Sequence, residues 1–590
     1  MKTYFKEKIG NPALFTGRKK EMEYLLNWSE KTKKEISLST AILSRRKTGK
    51  TAIMQRLYNI IFDKNEGVIP FYFEIKERDR WLGDFSEAFF VTFVFQFIAY
   101  MTRKSEYLDP LNIGYYNNAL EVAKKEGFDY LASVAENIIA MRKEEKTDLI
   151  WDMIIDIPRA AAGHYNMYIV QMIDEFQFLN KYIFRDQLCK HRIENLAGSY
   201  LHTCEYKNAP LLVSGSWVGW LTRDLQKMLP GRFQFHYLEN MPEEEAVAMI
   251  LKYSNLEDVP MAEKTVTLMA GLTEGNPFYI GSLFRSKYPG KDFTTEKGLL
   301  ETLEFETLDK EGTVRGTWME YALYAMDESN GINAKRIVLY LSKFRKREVS
   351  RDELKQELNL EMNDSELEKK LKILVKSDII EQGRSNFYYQ GVQDNIFDKV
   401  FRGVYADEIE TFDPKDLKNE YKALAEKLQE KYKSLMGQYS NFKGKFAEYL
   451  IIDNLKYRAY ADRTRFKKMI NGLPGDFEFA EYETVWSYSA SPVHKRDIQI
   501  DIFARAGENE YSLIGEVKNR KARFSVKEAE EFVKKAEELM ELEEVGKAVL
   551  FVFSINGFHK NTLEYLKKHG IAWTDNKKWL ERRRYLEKSR

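Results

Sequence analysis

Ser44-Arg45-Arg46-Lys47-Thr48-Gly49-Lys50-Thr51 decides how the first half of this chain folds. It follows Ala41–Leu43, an apolar stretch that reads as a strand end, and it opens a helical pattern over Thr51–Phe62. The spacing fits GxxxxGK[ST], with Ser44 at the first glycine position. Strand, loop and helix start in that order form a cradle for polyphosphate, because backbone N–H groups and the positive helix end face phosphate oxygens. Lys50 is the candidate for the β- and γ-phosphates, and the Thr51 hydroxyl for Mg²⁺. A chance Gly-Lys-Thr at a helix start is the plain alternative. The strand before it argues against chance.

Outward from the loop, strands alternate with helices. Val68–Ile75, Tyr168–Ile173 and Leu211–Ser214 read as strands, and Phe85–Tyr100 as a buried helix rather than a membrane span. Such alternation predicts parallel βαβ units. The strand Ile169-Val170-Gln171-Met172-Ile173 ends in Asp174 and Glu175. Asp174 is placed to hold Mg²⁺ through water and Glu175 to polarise the attacking water. An acidic strand end facing solvent is the competing reading.

The 590 residues suit about four folding units. The composition is 44% hydrophobic and 31% charged with net charge +1, which excludes a disordered chain and a uniformly basic coat. Residues 441–590 carry 29 Lys and Arg against 24 Asp and Glu, so the basic excess sits at the C-terminal end. Two cysteines, Cys189 and Cys204, cannot build a disulfide framework. With a polar start and no long apolar run, a cytoplasmic protein without a membrane segment is expected. Cys189-x-His191 and His202-x-Cys204 lack zinc spacing and read instead as a packed helical segment.

Several motifs resemble the STAND class of AAA-like ATPases. Phe15-Thr16-Gly17-Arg18-Lys19-Lys20-Glu21 looks like its F-x-G-R-x-x-E opening, and the paired Arg45 and Arg46 look like the loop of its archaeal-type clade. The resemblance implies that Leu212-Val213-Ser214-Gly215-Ser216 is a sensor strand with Ser216 near the γ-phosphate. It also implies that Arg232, in Gly231-Arg232-Phe233, is an arginine finger or sensor. Gly275-Asn276-Pro277 is similar to the lid turn whose proline, Pro277, meets adenine. The match covers roughly residues 10–400; Ser44 in place of glycine is its departure. A winged helix is expected after the lid. Helices at Arg336–Phe344, Ser350–Leu358 and Asp364–Lys376, with Ser350 and Glu353 as a capping box, fit it. So does a hairpin at Ile379–Glu381 and Asn386–Gln390.

The C-terminal part holds a second constellation. Gln499–Arg505 and Tyr511–Asn519 read as a hairpin, with a further strand at Ala548–Ser554. Residues two apart on a strand share a face, so Glu516 and Lys518 point the same way and the hairpin brings Asp501 beside them. Two carboxylates suit a hard cation, and the lysine suits charge on a phosphorane-like transition state. Glu448, on a helix starting at Gly444-Lys445-Phe446-Ala447-Glu448, is a fourth candidate. Helix, Asp and E-x-K in this order resemble the PD-(D/E)XK nuclease superfamily, with Ile500 where its proline stands. A charged hairpin without chemistry is the alternative. Lys534 or Lys535 is a candidate phosphate contact.

Arg458, Arg463, Arg465, Lys467 and Lys468, with Lys577, Lys578 and Arg582–Arg584, form basic clusters interleaved with Tyr457, Tyr460, Phe466 and Trp579. They read either as a nucleic-acid face or as solvated surface. Lys369, Lys370, Lys372 and Lys376 on the third helix of the expected winged helix are equally ambiguous.

These readings predict an α/β multidomain chain. It has a P-loop parallel-sheet ATPase core (1–240), a helical lid (241–330), a winged helix (331–410), a helical connector (411–440) and a restriction-endonuclease-like domain (441–590). The expected function is an ATP-controlled, Mg²⁺-dependent DNA nuclease or DNA-processing ATPase, in genome defence or mobile-element control. The alternative is a regulatory ATPase switch whose C-terminal domain only binds nucleic acid or a partner protein. ATP and Mg²⁺ are the expected cofactors. DNA or RNA and a homo-oligomer through the ATPase domain are the expected partners.

Overall fold

All five residues of β1 (Ser39–Leu43) are buried, and in the computed structural model they lie inside a parallel sheet. The structure describes residues 4–109, 114–144, 146–215, 232–328, 332–385, 387–409, 422–423, 425–428, 439–489, 498–520 and 522–581. The chain divides into two compact units. The first is Met1–Pro242, Gly275–Ser282 and Glu304–Leu417; the second is Glu243–Glu274, Leu283–Leu303 and Lys418–Arg590.

In the first unit α1 (Lys19–Thr32) precedes β1. After it come α2 (Lys50–Lys64), β2 (Val68–Glu74), α3 (Leu82–Thr102), α4 (Tyr116–Lys125), α5 (Asp129–Lys143) and α6 (Thr147–His164). The strands β3 (Tyr168–Asp174), β4 (Leu211–Gly215) and β5 (Phe233–Tyr237) complete the sheet. Its order is β2-β3-β4-β1-β5 with every pairing parallel. Parallel strands need long crossovers, which the flanking helices supply. A parallel sheet with flanking helices, whose β1 runs through a Gly-Lys-Thr turn into α2, is a P-loop NTPase-type core.

Pro70 stands inside β2, a place tolerated because β2 is the edge strand. The open edge is closed by α3. Gln96 Oε1 accepts the Tyr72 N–H and Gln96 Nε2 donates to the Tyr72 carbonyl, both at 2.8 Å. That pairing explains the one amide in an otherwise apolar run. α3 is long and apolar enough to cross a membrane, yet 78% of its most apolar window is buried in the protein. Phe89 and Phe93 meet Phe71 edge-on at 5.0 and 5.2 Å.

The helices α7 (Glu243–Leu256), α8 (Glu263–Leu272), α9 (Pro277–Phe284) and α10 (Glu296–Leu308) follow. The sequence groups 241–330 as one lid, whereas α7 and α8 are built into the second unit. Further along the first unit lie α11 (Thr313–Glu328), α12 (Ile332–Lys343), β6 (Val349–Ser350), α13 (Arg351–Glu357) and α14 (Asp364–Lys376). After these come β7 (Ile380–Gln382), β8 (Tyr388–Gly391) and α15 (Asn395–Ile409). β6, β8 and β7 form an antiparallel sheet in that order. Ser350 caps α13 by accepting the Glu353 N–H at 3.1 Å. The expected reciprocal box does not close, because the Glu353 carboxylate is held by Arg347 and Tyr340 instead. Asn386 and most of the expected connector helix lie outside the described residues.

In the second unit α16 (Tyr439–Asn454) leads to β9 (Thr484–Ser489), β10 (Gln499–Arg505), β11 (Ser512–Lys518), α17 (Val526–Leu542), β12 (Ala548–Ser554), α18 (Lys560–Lys568) and β13 (Ala572–Thr574). The sheet β9-β10-β11-β12-β13 is mixed: the first three strands are antiparallel and the last three parallel. Separate apolar clusters line it, one around Ile451, Phe466, Phe551 and Trp579, the other around Phe503, Phe532 and Leu566. α16 is bound to the lid segment: Tyr449 OH meets Ser254 Oγ and Met261 N at 3.0 and 3.2 Å, and Lys456 Nζ meets Asp258 at 2.7 Å.

Candidate nucleotide and carboxylate–lysine sites

Where β1 ends, the loop turns back on its own side chains. Ser44 Oγ lies 2.5 Å from Thr48 Oγ1, and Thr48 Oγ1 donates to the Arg45 carbonyl at 3.0 Å. Ser44 thus replaces the expected glycine without a positive φ, and its hydroxyl braces the loop. The left-handed turns fall at Lys47 (φ 66°) and Gly49 (φ 98°). Lys50 is buried, and its ammonium donates to Ser44 O, Ser44 Oγ and Arg45 O at 3.2, 2.9 and 3.0 Å. Burial pulls its pKa down, against the charges of Glu175 and Asp174. For Lys50 to serve a phosphate, these carbonyl bonds must be exchanged for phosphate oxygens.

Asp174, at the end of β3, is fully buried and heavily bonded. Its carboxylate accepts Thr51 Oγ1–H at 2.6 Å, Tyr72 O–H at 3.0 Å, the Ser214 hydroxyl and the Glu175 N–H at 3.1 Å. The adjacent hydroxyl and carboxylate of Thr51 and Asp174 are oxygen donors of the kind Mg²⁺ takes. Glu175 sits at φ 56° and receives the Gln177 amide. Burial, then the Asp174 charge, pushes the Glu175 carboxyl up. Sequence reasoning misses Tyr72, Ser214 and Gln177 as site residues, because single hydroxyls and amides at strand ends carry no spacing signal. Ser216 and Gly231 lie outside the described residues.

Arg18 gives the N-terminal motif a physical role. Its buried guanidinium donates to Thr48 O at 3.0 Å and Glu239 O at 2.6 Å and pairs with Glu21 at 3.0 Å, splinting the loop to the chain after β5. Gly275 is at φ 69°, and a Cβ there would stand 2.2 Å from the Met241 carbonyl oxygen, so only glycine fits. Pro277 then abuts the loop, its Cγ 3.8 Å from where a Gly49 side chain would begin.

The loop cations reach the later segment of the same unit. Arg45 forms an ion pair with Asp394 at 3.4 Å and faces the Trp318 and Phe397 rings. Arg46 lies 4.1 Å over Tyr321, and Lys47 faces Phe278 at 5.3 Å. Asp378, at the left-handed turn after α14, is pushed up to about 7 by burial, with Arg45, Arg46 and Lys50 opposing the shift. Its Oδ2 is buried with no hydrogen-bond partner.

Arg232 is elsewhere. It precedes Phe233, which pairs with Ser39 at the start of β1, and its guanidinium pairs with Glu205 at 2.6 Å. The loop leaves the other end of β1, about 13 Å further on at roughly 3.3 Å per residue. Arg232 therefore does not serve the loop of its own chain in this fold.

In the second unit, β10 carries one extra residue: Trp486 pairs with Phe503 and Tyr488 with Ile500, so Asp501 and Ile502 face Ser487 alone. Bulges re-aim side chains. Asp501 is aimed at β11, its Oδ2 accepting the Val517 N–H at 2.8 Å. Lys518 Nζ meets Glu516 Oε1 at 2.5 Å. Burial, then Glu516, raises the Asp501 carboxyl; burial, then Asp501, raises Glu448 well above its usual range. Burial works against the Lys518 ammonium, but Glu516 and Asp501 outweigh it and raise its pKa. Lys535 of α17 acts on Asp501, and Lys445 on Glu448. Glu448 lies in the third turn of α16, which starts at Tyr439 rather than at Gly444. Among the described residues no three His, Cys, Asp or Glu side chains form a ready metal-binding group.

The interleaved aromatics do not form a stacking face. Phe466 and Trp579 are buried against each other at 4.9 Å. Arg465 pairs with Glu581 and Lys467 with Glu478, while Tyr460 is exposed under Arg463 at 4.1 Å. Arg582–Arg584 lie outside the described residues. Cys189 sits in a loop organised by Asp186, which binds the Lys190 and His191 backbone, rather than in a helix. Burial pushes the Cys204 thiol up to about 11.

No family model and no curated protein matches the chain. Among solved structures it is similar to a Walker-type ATPase of Pyrococcus abyssi, with 14% identity over 68% of this chain and 98% of that one, at a TM-score of 0.43. The ADP form of the ORC2 protein of Aeropyrum pernix is 12% identical over 69% and 98%, at 0.38. The RuvB Holliday junction branch migration motor of Thermotoga maritima is 13% identical over 68% and 97%, at 0.29.

Proposed function

We propose that this protein is an ATP-hydrolysing switch in which nucleotide state at the Ser44–Thr51 loop is read by the segment from α11 to α15, that is, the end of the expected lid and the expected winged helix (331–410). The observation that carries the proposal is the Arg45–Asp394 ion pair, with Arg46 over Tyr321: cations of the phosphate loop are held by side chains of the later segment. Lys50 is the group for the β- and γ-phosphates, and Glu175 the group for orienting the attacking water. Thr51 and Asp174 are the residues that would hold Mg²⁺, which supplies charge neutralisation on the phosphates when bound. Arg232, just before β5, would serve as a finger only for a second copy, in a homo-oligomer. The test is ATP turnover. Lys50→Ala should lose nucleotide binding and turnover, and Glu175→Gln should keep binding and lose turnover. Normal turnover in either variant overturns the assignment.

One observation favours a second activity. Glu448, Asp501, Glu516 and Lys518 share one electrostatic cluster on a mixed five-stranded sheet. Asp501 and Glu516 are the donors for a divalent cation, which would supply a polarised water and charge relief at a phosphodiester. Lys518 would hold negative charge that develops on the phosphate. Tyr449, next to Glu448, is anchored within the same unit by Ser254 Oγ and Met261 N. Incubating the protein with plasmid and single-stranded DNA, with Mg²⁺ and with or without ATP, tests this reading. Cleavage lost in Asp501→Ala and Lys518→Ala supports it; cleavage by Asp501→Ala as by wild type refutes it. A protein that hydrolyses ATP and cuts nothing is the switch alone, its C-terminal unit a module for binding nucleic acid or a partner protein.

A further inference from the structure

α2 carries Thr51, Gln55 and Asn59 four residues apart, and so on one stripe of the helix. Gln55 and Asn59 are buried among mostly apolar neighbours, where a side-chain amide needs partners. Asn59 holds the chain near its start: its Oδ1 accepts the Phe5 N–H at 2.7 Å, and its Nδ2 donates to the Phe5 carbonyl at 2.9 Å. Gln55 Oε1 accepts the Lys8 N–H at 2.7 Å. That bond fixes which way the Gln55 amide faces, because a backbone N–H can only donate. The other end of the amide, Nε2, donates to the Tyr72 hydroxyl at 3.3 Å.

A phenol has one proton to give. With Gln55 donating to it, Tyr72 gives that proton to Asp174 Oδ2, at 3.0 Å. Tyr72 pairs with Met172, two residues before Asp174 on β3, so both side chains leave the same face of the sheet. The backbone of Tyr72 is tied to Gln96 through both its N–H and its carbonyl, and Phe5 meets its ring edge-on at 5.3 Å. Burial, then the charges of Asp174 and Glu74, raises the Tyr72 pKa well above its usual value, so the hydroxyl keeps its proton. The same Asp174 oxygen accepts the Thr51 O–H at 2.6 Å, while Oδ1 takes the Ser214 hydroxyl and the Glu175 N–H. Tyr72 thus acts on the Thr51–Asp174 pair through the carboxylate. A hydrogen-bond partner in that position orients a metal ligand and tunes the affinity of the site.

We infer that Tyr72, aligned by Gln55 and the Lys8 backbone, is a positioning residue that holds the Asp174 carboxylate for the divalent cation of the nucleotide site. The inference rests on the nucleotide reading of that site proposed above. Its test is titration calorimetry of the full chain with a non-hydrolysable ATP analogue, in chelator and in Mg²⁺, together with the Mg²⁺ dependence of ATP turnover. Wild type should bind the analogue more tightly with Mg²⁺ than in chelator. Tyr72→Phe keeps the ring and removes only the hydroxyl. It should bind as wild type in chelator, lose most of the gain from Mg²⁺, and need about 10- to 100-fold more Mg²⁺ for half-maximal turnover. Turnover at saturating Mg²⁺ should return to the wild-type level, which a general loss of packing would not allow. Tyr58→Phe is the control: that hydroxyl lies on the same helix, buried with no hydrogen-bond partner, and its removal should leave every value unchanged. An unchanged Mg²⁺ requirement in Tyr72→Phe, an equal loss of affinity with and without Mg²⁺, or the same shift in Tyr58→Phe each overturns the inference and leaves the nucleotide reading standing. No nucleotide binding by wild type overturns that reading and the inference with it.

Discussion

Replacing the Asp394 carboxylate by an amide, Asp394→Asn, separates charge from structure at the point where the phosphate loop meets the later segment. Asp394 Oδ1 caps α15, accepting the Ile396 and Phe397 N–H groups at 3.0 and 2.9 Å, and an amide carbonyl keeps that cap. Oδ2 accepts from Tyr279 O–H at 2.7 Å and pairs with Arg45 at 3.4 Å; that oxygen and its charge are lost. At 3.4 Å and an effective dielectric of about 20, the gross attraction is about 5 kcal/mol. Desolvation of a pair this buried cancels much of it, leaving about 1–2 kcal/mol of net coupling. Removing the carboxylate releases Arg45 to the phosphates and takes a negative charge away from the loop. Nucleotide affinity should therefore rise about 5- to 30-fold, at roughly 1.4 kcal/mol per factor of ten. Titration calorimetry with a non-hydrolysable ATP analogue measures it, and in an Arg45→Ala background the gain from Asp394→Asn should shrink to what removal of the nearby negative charge alone supplies. Affinity unchanged within about twofold in an otherwise folded Asp394→Asn protein would refute the coupling.

Arg18→Ala should destabilise the first unit by about 3 kcal/mol, because it strips Thr48 O, Glu239 O and Glu21 of a buried charged partner; a denaturant midpoint equal to wild type would contradict the splint. Gly275→Ala should cost about 1–2 kcal/mol from the left-handed backbone, with more from the Met241 carbonyl, read as a lower melting temperature. Asp378 predicts a pH dependence. Its pKa is raised from 3.8 to about 7, so the stability held by its protonated form is full below about pH 4 and lost as pH rises to 7. The stability advantage of Asp378→Asn should accordingly grow between about pH 4 and 7 and level off above, reaching at most about 4 kcal/mol; a flat difference across that window removes Asp378 from the buried cluster.

The core of the first unit is legible in the sequence because its signals are local. Gly49-Lys50-Thr51 after an apolar strand, and Asp174-Glu175 at the end of another, name both position and chemistry. β5 escapes sequence reading because it is a five-residue edge strand with two exposed positions, too weak a pattern to separate from loop. Arg232 shows the limit of motif reading: its residue type suits a finger, but the register of β5 on β1 puts it at the opposite end of the strands from its own loop. The bulge at Asp501 is likewise invisible, since an extra residue shows only against the partner strand. Phe466 and Trp579 look like stacking residues beside basic neighbours, yet apolar area is worth more buried, and they form core instead. The grouping of α7 and α8 with the C-terminal unit rests on contacts such as Tyr449 with Ser254, 195 positions apart, which no local pattern records.

Hydrogen exchange at the Ile396 and Phe397 amides, both bonded to Asp394, tests most directly whether nucleotide state reaches the α11–α15 segment. The comparison is the full-length Glu175→Gln protein saturated with ATP against the same protein saturated with ADP, each with Mg²⁺. A γ-phosphate that draws Arg45 from Asp394 should change the protection of these two amides in ATP and not in ADP, and Lys50→Ala should remove the change. Identical exchange with both nucleotides, at confirmed saturation, would contradict a switch operating through this ion pair.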